Sequence, residues 1–226
     1  MRDLSNDQET GFGIIQRLLG MPPDAEQQFA LQNYVNHLIT WNRTYSLIGP
    51  AALDSLWSRQ LPNALTLLPL LPDAARIADM GSGAGLPAII LAIFSTPTRQ
   101  FHLYEANQKK VRFLNFIVTE LQLGNRVMIH KKRIEEPHAD SRTYDVTLCR
   151  ALADLESIAK LSRFLLKPDG ICLALKGRLA QDEVQRFQHS KQAQYFMAPT
   201  IHPAPDNPES VIVALRMVSR ETGKQP

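Results

Sequence analysis

A glycine-rich stretch, "ADMGSGAGLPAII" from Ala78 to Ile90, combines residue types that are suited to holding a ligand. Gly81, Gly83 and Gly85 alternate with small residues, directly after a short apolar run that contains Asp79. Glycine lets the backbone approach a ligand closely and adopt positive φ, and a helix that follows offers free N–H groups. Such a turn can hold a dinucleotide, a nucleoside phosphate or S-adenosylmethionine, and it can also be a tight turn without a ligand.

The spacing of the glycines favours a ligand without phosphate. Dinucleotide sites usually show GxGxxG, whereas this turn reads GxGxG with Leu86 at the next position. Asp79 would repel a nearby pyrophosphate. S-adenosylmethionine carries an ammonium and a sulfonium and no phosphate, so a carboxylate at this place is compatible with it.

Three further strand ends supply candidate ligand-binding residues. Glu105 follows the glycine turn by about 20 residues, where a carboxylate accepts hydrogen bonds from ribose hydroxyls. After the next apolar run, Glu135 and the backbone of Ile134 are placed to contact an adenine. Arg150 ends the fourth run and is suited either to a ligand carboxylate or to a phosphate of a nucleic acid.

Basic residues cluster at or soon after the same strand ends. The net charge of the 226-residue chain is only +3, so the placement of the cations matters more than their number. Their position on one rim indicates an electrostatic footprint for RNA. The candidate RNA-binding residues are Lys109, Lys110, Arg112, Lys131, Lys132 and Arg178, with Lys176 beside them.

Composition narrows the class of protein. Hydrophobic residues make up 44% of the chain, which suits a compact domain with an appendage. The two cysteines, Cys149 and Cys172, lie in apolar runs without metal-ligand spacing, so we expect buried thiols, no disulfide and no metal. The polar N-terminus lacks a signal peptide, and no apolar run approaches the ~18 residues of a membrane span. We therefore expect a soluble, cytoplasmic protein.

The elements that position these residues alternate in type along the chain. Residues 1–71 are predicted to form a helical extension, in which Asp24 and Gln27 have the spacing of a capping box. Residues 72–220 alternate strands and helices, which predicts a mostly parallel α/β sheet closed by an antiparallel C-terminal strand. Residues 221–226 are expected to be a disordered tail. The predicted strands are "RIADM", "FHLYE", "RVMIHKK", "YDVTLC" and "ICLALKG", with "QYFMAPTIH" and "SVIVALRMV" as a final pair, and "LESIAKLSRFLLKPDG" is among the predicted helices.

Several of these motifs together are similar to those of a known family. "LITWNRTYSL", "DMGSGAGLP", "KKVRFL", the Ile134-Glu135 pair, "RALADL" and "LALKG" occur in this order. With them the chain resembles the GidB/RsmG family, which uses S-adenosylmethionine to methylate N7 of a guanosine in 16S ribosomal RNA. The resemblance implies a class I S-adenosylmethionine-dependent methyltransferase fold, which is Rossmann-like, and the small ribosomal subunit or its RNA as partner.

The resemblance also implies roles for single residues. Gly81 and Leu86 would contact the cofactor in the glycine turn and Glu105 its ribose, while Ile134 and Glu135 would frame the adenine. Arg150 would complete the cofactor rim, and Arg150 and Lys176 are the candidates for positioning the RNA. The sequence departs from the family in three places. Tyr45-Ser46-Leu47 replaces "NLT", and Ala88 replaces a glycine. Arg59 to Asn63 stand where the family has "RHxxDS", so that its usual His, Asp and Ser are absent.

Other functions remain open at this point. The same fold supports methyltransferases for small molecules or for other RNAs, and a diverged relative would bind cofactor with weak activity. An NAD-dependent oxidoreductase is disfavoured by the GxGxG spacing and by Asp79. The N-terminal helices would either dock RNA or cover the sheet. We expect a monomer.

Overall fold

One seven-stranded sheet forms the centre of the computed structural model, which describes residues 4–134, 142–150, 152–204, 207 and 209–219. Its strands are β1 (Arg76–Met80), β2 (Gln100–Tyr104), β3 (Val127–His130), β4 (Tyr144–Arg150), β5 (Leu166–Lys176), β6 (Thr200–Pro203) and β7 (Val211–Arg216). They lie in the order β3-β2-β1-β4-β5-β7-β6. β1 to β5 are parallel, and β7 runs antiparallel to both β5 and β6. The predicted mostly parallel sheet with an antiparallel C-terminal strand is therefore confirmed.

Helices cover both faces of this sheet. The elements before β1 are α1 (Leu4–Leu19), α2 (Ala25–Tyr45), α3 (Pro50–Asp54), a π-helical turn (Leu56–Gln60), α4 (Leu61–Leu65) and a 3₁₀ turn (Leu68–Leu70). Residues of α1, α2 and α4 share one apolar core with α5 (Ala88–Phe94) and α6 (Gln108–Glu120). The opposite face packs against α7 (Leu155–Leu165) and α8 (Ala180–Gln188).

The second helix shows how the N-terminal residues come to cover the sheet. Asp24 accepts a hydrogen bond from Gln27 N at 2.8 Å, and Gln27 Oε1 accepts one from Asp24 N at 3.1 Å, so the predicted capping box is present. The apolar stripe of α2 is buried against α5 and α6, because it meets the apolar faces that those helices turn away from the sheet. The division of the chain at residue 71 stays a prediction.

Two predicted element boundaries are wrong. α7 ends at Leu165 rather than near Gly170, because Pro168 restricts the preceding residue to extended backbone, and Leu166 already pairs with Tyr144. The predicted strand "QYFMAPTIH" is mostly irregular: a 3₁₀ turn spans Ala193–Tyr195 and β6 covers only Thr200–Pro203. Its regular pairing with β7 begins after Pro199, which has no N–H to donate to a ladder.

Strand alternation brings Asp79 and Arg150 to the same face. Successive side chains of a strand point to opposite faces, so Asp79 lies on the side of Ile77 and Arg150 on the side of Leu148. Ile77 and Leu148 both belong to the core beneath the N-terminal helices. β1 and β4 are neighbours at the point where the strand order reverses, with Met80 opposite Cys149. In open α/β sheets, ligands bind outside the carboxyl ends of the strands at this point.

Candidate active site

A cavity of about 550 Å³ opens at the carboxyl ends of β1, β2 and β4. This volume lies in the range of small-molecule sites. Its apolar walls include Met80, Leu152 and Leu161, and its polar groups include the carboxylate of Glu105 and the guanidinium of Arg150. A second cavity of about 470 Å³ lies between α7 and α8, away from the glycine turn.

The glycine turn forms one edge of the larger cavity. Gly81, Gly83 and Gly85 have φ values of 71°, 59° and 89°, so all three need the left-handed backbone that glycine adopts most readily. Gly81 N and Ser82 N donate to the carbonyl of Tyr104 at 2.9 and 3.0 Å, which ties the turn to the end of β2. Of the three glycines, Gly81 lines the cavity.

Glu105 joins the glycine turn to the start of α6. Its Oε2 accepts from Gly83 N at 2.9 Å, and its Oε1 accepts from Asn107 N at 2.7 Å. Each carboxylate oxygen has a second lone pair, so both can still accept from a ligand. Glu105 also lines the cavity, as its predicted contact with ribose hydroxyls requires. The carboxylate therefore holds the turn and presents acceptors to a ligand at once.

Asp79 is a buried carboxylate that lacks a full set of partners. Its side chain is 1% exposed, and among the described residues its Oδ2 has no hydrogen-bond donor. Burial raises the pKa of Asp79 to about 7; the Ser82 hydroxyl and Arg150 oppose this rise, and Glu105 adds to it. A buried acceptor without a hydrogen bond is costly. A cationic group of a ligand would supply the missing donor.

Arg150 is half-buried beside Asp79 and lines the cavity. Its Nη1 donates to Oε1 of Gln60 in the π-helical turn. Burial lowers the pKa of Arg150, Tyr34 and Asp79 raise it, and the neighbouring Arg59 lowers it further. The guanidinium therefore lies in a partly desolvated place where an oxyanion would be stabilised strongly.

Tyr34 is a contact of the glycine turn that the sequence did not reveal. It lies in α2, is fully buried, and its hydroxyl donates to the carbonyl of Ala84 at 2.9 Å. Burial raises the pKa of Tyr34, so the hydroxyl stays protonated at any ordinary pH. Helix α2 thus contacts the glycine turn directly. The contact joins residues 50 apart in sequence, and no local pattern marks it.

The remaining predicted cofactor residues lie in different places. Ile134 is buried in the cavity wall. Leu86 lies in the apolar core rather than among the residues that line the cavity. Glu135 lies outside the described residues.

The predicted RNA-binding cations divide into two groups. Lys110 and Lys132 line the cavity, together with Arg133, and Lys109, Arg112 and Lys131 are exposed close to them in sequence. Arg178 instead follows β5 and forms an ion pair with Glu209, which precedes β7.

Lys176 has protein partners for its ammonium group. Its Nζ donates to the carbonyl of Ala153 at 2.6 Å and to Oε2 of Glu183 at 2.7 Å. The same Glu183 oxygen accepts from Leu155 N at 3.0 Å. The side chain of Lys176 is only 9% exposed. This geometry holds the loop after β4 against α8, and that loop carries Leu152 to the cavity wall.

Comparison with known proteins connects this site to one family. The model of the GidB family, described as "rRNA small subunit methyltransferase G", matches residues 27–211. The chain belongs to this family. Two relatives named ribosomal RNA small subunit methyltransferase G are those of Rhodospirillum centenum, 37% identical over 71% of this chain and 72% of theirs, and of Stutzerimonas stutzeri, 38% identical over 75% and 78%. The resemblance predicted from the motifs is confirmed.

Solved structures agree with the GidB assignment at the level of the fold. A putative S-adenosylmethionine-dependent methyltransferase from Methanococcus maripaludis superposes with a TM-score of 0.62 at 15% identity, covering 76% of this chain and 92% of its own. The predicted class I methyltransferase fold is thereby confirmed. Among the described helices, none has both the length and the apolar character needed to cross a bilayer.

The positions where this GidB chain departs from the family pattern have defined surroundings. Gln60, in place of the usual His, is buried against Arg150. Asn63, in place of the usual Asp, donates to Ser210 Oγ at 2.9 Å and accepts from Asn207 Nδ2 at 3.1 Å. Ala88, in place of glycine, begins α5, and its methyl group is fully buried in the apolar core.

Proposed function

We propose that this protein transfers the methyl group of S-adenosylmethionine to N7 of a guanine in 16S ribosomal RNA. The observation that carries the proposal is the buried, partly unsatisfied Asp79 beside Arg150, just before a glycine turn, in a chain of the GidB family. The two side chains offer opposite charges on neighbouring strands. The α-amino and α-carboxylate groups of a methionine moiety carry the matching charges on one carbon.

The residues around the cavity fit the rest of this cofactor. Glu105 has free lone pairs for the ribose hydroxyls, and the apolar wall at Ile134 suits an adenine ring. Gly81 has no side chain at the place where the methionine end would pass, and a Cβ there would lie 2.7 Å from Leu152 Cδ1. A dinucleotide would bring phosphates next to Asp79, so it fits this site less well.

Positioning explains how these residues would promote the reaction. S-adenosylmethionine supplies the methyl group, whose bond to sulfur breaks as the bond to N7 forms. N7 of guanine has an available lone pair, so no side chain has to remove a proton first. The contribution of the protein is then to hold two reactants in line, which is worth several orders of magnitude in rate. Asp79, Glu105 and Arg150 would fix one reactant.

The RNA would approach over the cations beside the cavity. Lys109, Lys131 and Arg112 are exposed, and their charges suit phosphate contacts that set the orientation of the RNA without reading its sequence. We propose that the protein acts as a cytoplasmic monomer on the small subunit or on its RNA.

Methylation of 16S RNA from cells that lack the gene tests the proposal. Purified protein, labelled S-adenosylmethionine and unmethylated 30S subunits or naked 16S RNA should yield label at one guanine, mapped by cleavage at N7-methylguanosine and primer extension. A variant in which Glu105 is changed to Ala should lose most of this label. Label at another atom or in another RNA would refute the N7 assignment. If the protein bound the cofactor but transferred no label to RNA, it would be a diverged relative that does not methylate this substrate.

A further inference from the structure

The direction of the Arg150 side chain is set from the N-terminal helices. Arg150 leaves the end of β4 on the face that these helices cover, and Asp79 of the neighbouring strand lies beside it. A guanidinium has five N–H donors in one plane. In the described part of the chain, the hydrogen bond to Gln60 Oε1 is the one that Arg150 makes. The other donors are available to a ligand in the cavity that Arg150 lines.

Gln60 presents its amide oxygen to Arg150, because its NH₂ group is held on the opposite side by another hydrogen bond. Its Nε2 donates to Ser55 Oγ at 3.1 Å. The Ser55 hydroxyl in turn donates to the carbonyl of Ala51 at 2.8 Å, so its oxygen is left to accept. All hydrogen bonds of this network therefore run in one direction: Arg150 donates to Gln60, Gln60 donates to Ser55, and Ser55 donates to Ala51. A flipped amide would place an NH₂ group against the guanidinium.

The backbone around Gln60 is built to turn this side chain inward. Gln60 N donates to Ser55 O at 3.0 Å, and Leu61 N donates to Leu56 O, both five residues back. Such π-helical turns are rare and are found frequently at functional sites. Leu56 and Trp57 are buried in the core, and the ring of Trp57 packs on that of Phe12 of α1 with 5.1 Å between the ring centroids. Gln60 is 7% exposed although its side chain is polar.

We propose that Gln60 is a positioning residue, which holds one edge of the Arg150 guanidinium so that its other N–H groups face the carboxylate of the bound methionine moiety. This inference rests on the proposed function, because it assumes S-adenosylmethionine in the cavity. It adds that a residue of the N-terminal helices, 90 positions away in sequence, sets the affinity for one chemical group of the cofactor.

A pair of ligands that differ in this group alone tests the inference. S-adenosylmethionine and decarboxylated S-adenosylmethionine share the adenosine, the sulfonium and the ammonium. Calorimetry would give the dissociation constant of each ligand for the wild-type protein and for Q60M, which keeps the length of the side chain and removes both hydrogen-bonding groups. The matched control is S58A, because Ser58 lies exposed in the same turn.

We expect the wild type to prefer the ligand with the carboxylate. Q60M should lower this preference roughly three- to tenfold, which is the range of one ordinary hydrogen bond, by weakening the binding of S-adenosylmethionine and not that of its decarboxylated form. S58A should leave both constants unchanged. S55A, which frees the amide of Gln60 to flip, should shift the preference in the same direction as Q60M by a smaller factor.

A purely structural role of Gln60 would give a different result. If Q60M weakened both ligands equally, or left the preference unchanged, the inference would be wrong while the proposed function stood. If the wild type bound neither ligand, the proposed function would fail and this inference with it. Thermal unfolding of each variant shows whether it folds. Should Q60M not fold, S55A carries the test, and an unchanged preference in S55A would overturn the inference.

Discussion

At the residue scale, Asp79 places stability and ligand binding in opposition. Its pKa in the folded protein is about 7, against an ordinary value near 3.8, because burial disfavours the charge. The folded state therefore binds the proton more tightly than the unfolded state. The stabilisation that this proton contributes is fully present at low pH and is lost as the pH rises through about 7.

Replacing Asp79 by Asn should therefore stabilise the protein at pH 8. Asn keeps the shape and has no charge to desolvate, so we expect the free energy of unfolding to rise on the order of 3 kcal/mol at pH 8 and much less at pH 4.5. Urea unfolding at the two pH values measures this, with D54N at an exposed helix end as control. Equal effects at both pH values would contradict the role given to burial.

The same carboxyl group should make cofactor affinity depend on pH. A ligand ammonium beside Asp79 favours the ionised form, so below pH 7 binding has to release the proton that the empty site holds. We expect the dissociation constant of S-adenosylhomocysteine to rise as pH falls from 7 to 5.5, by at most about tenfold per pH unit. Calorimetry in buffers of different ionisation enthalpy would count the released proton, and D79N should bind weakly with no such dependence.

At the scale of elements, α2 supports the glycine turn through one hydroxyl. Changing Tyr34 to Phe removes the donor to the Ala84 carbonyl and keeps the ring in the core. We expect a loss of about 1 kcal/mol in the free energy of unfolding and a roughly two- to fivefold weaker binding of S-adenosylhomocysteine, because the turn loses one of its anchors. Y45F is the control, since that ring lies on the same helix against Trp41. Binding that is unaffected in Y34F would limit Tyr34 to packing.

The candidate site residues whose placement could be predicted from the sequence are those carried by strand ends. Asp79, Glu105 and Arg150 each lie within one residue of the last residue of β1, β2 or β4, and parallel strands bring such positions to one edge of the sheet. The order of elements is enough to place them together. Gly81 and Ile134 follow from the same rule.

The parts that the sequence did not reveal depend on contacts between distant elements. Tyr34 and Gln60 lie in helices whose apolar periodicity predicts burial, but nothing local shows which strand end they will meet. Lys176 was placed correctly at a strand end, yet its partner Glu183 lies on α8, and the packing of that helix decides the direction of the ammonium. Leu86 lies next to the glycine turn in sequence but is buried in the apolar core, two residues before α5 begins.

At the scale of the whole molecule, charge is distributed unevenly around a small net excess. The chain carries +3, while several cations crowd the rim of one cavity. Binding to RNA releases counterions from the phosphates that the cations neutralise. The logarithm of the binding constant should therefore fall linearly with the logarithm of salt concentration, with a slope set by the number of contacts.

Two exposed cations should affect this slope differently. Lys131 is exposed three residues before Ile134 of the cavity wall, whereas Arg178 is already paired with Glu209. We expect K131Q to reduce the slope for 16S RNA by about 1, and R178Q to leave it nearly unchanged, because an ion-paired guanidinium has little free charge to offer a phosphate. Binding of labelled 16S RNA at four salt concentrations measures both slopes. If R178Q lowered the slope as much as K131Q, the expectation would be wrong. The RNA would then contact the region near β7 as well as the rim of the cavity.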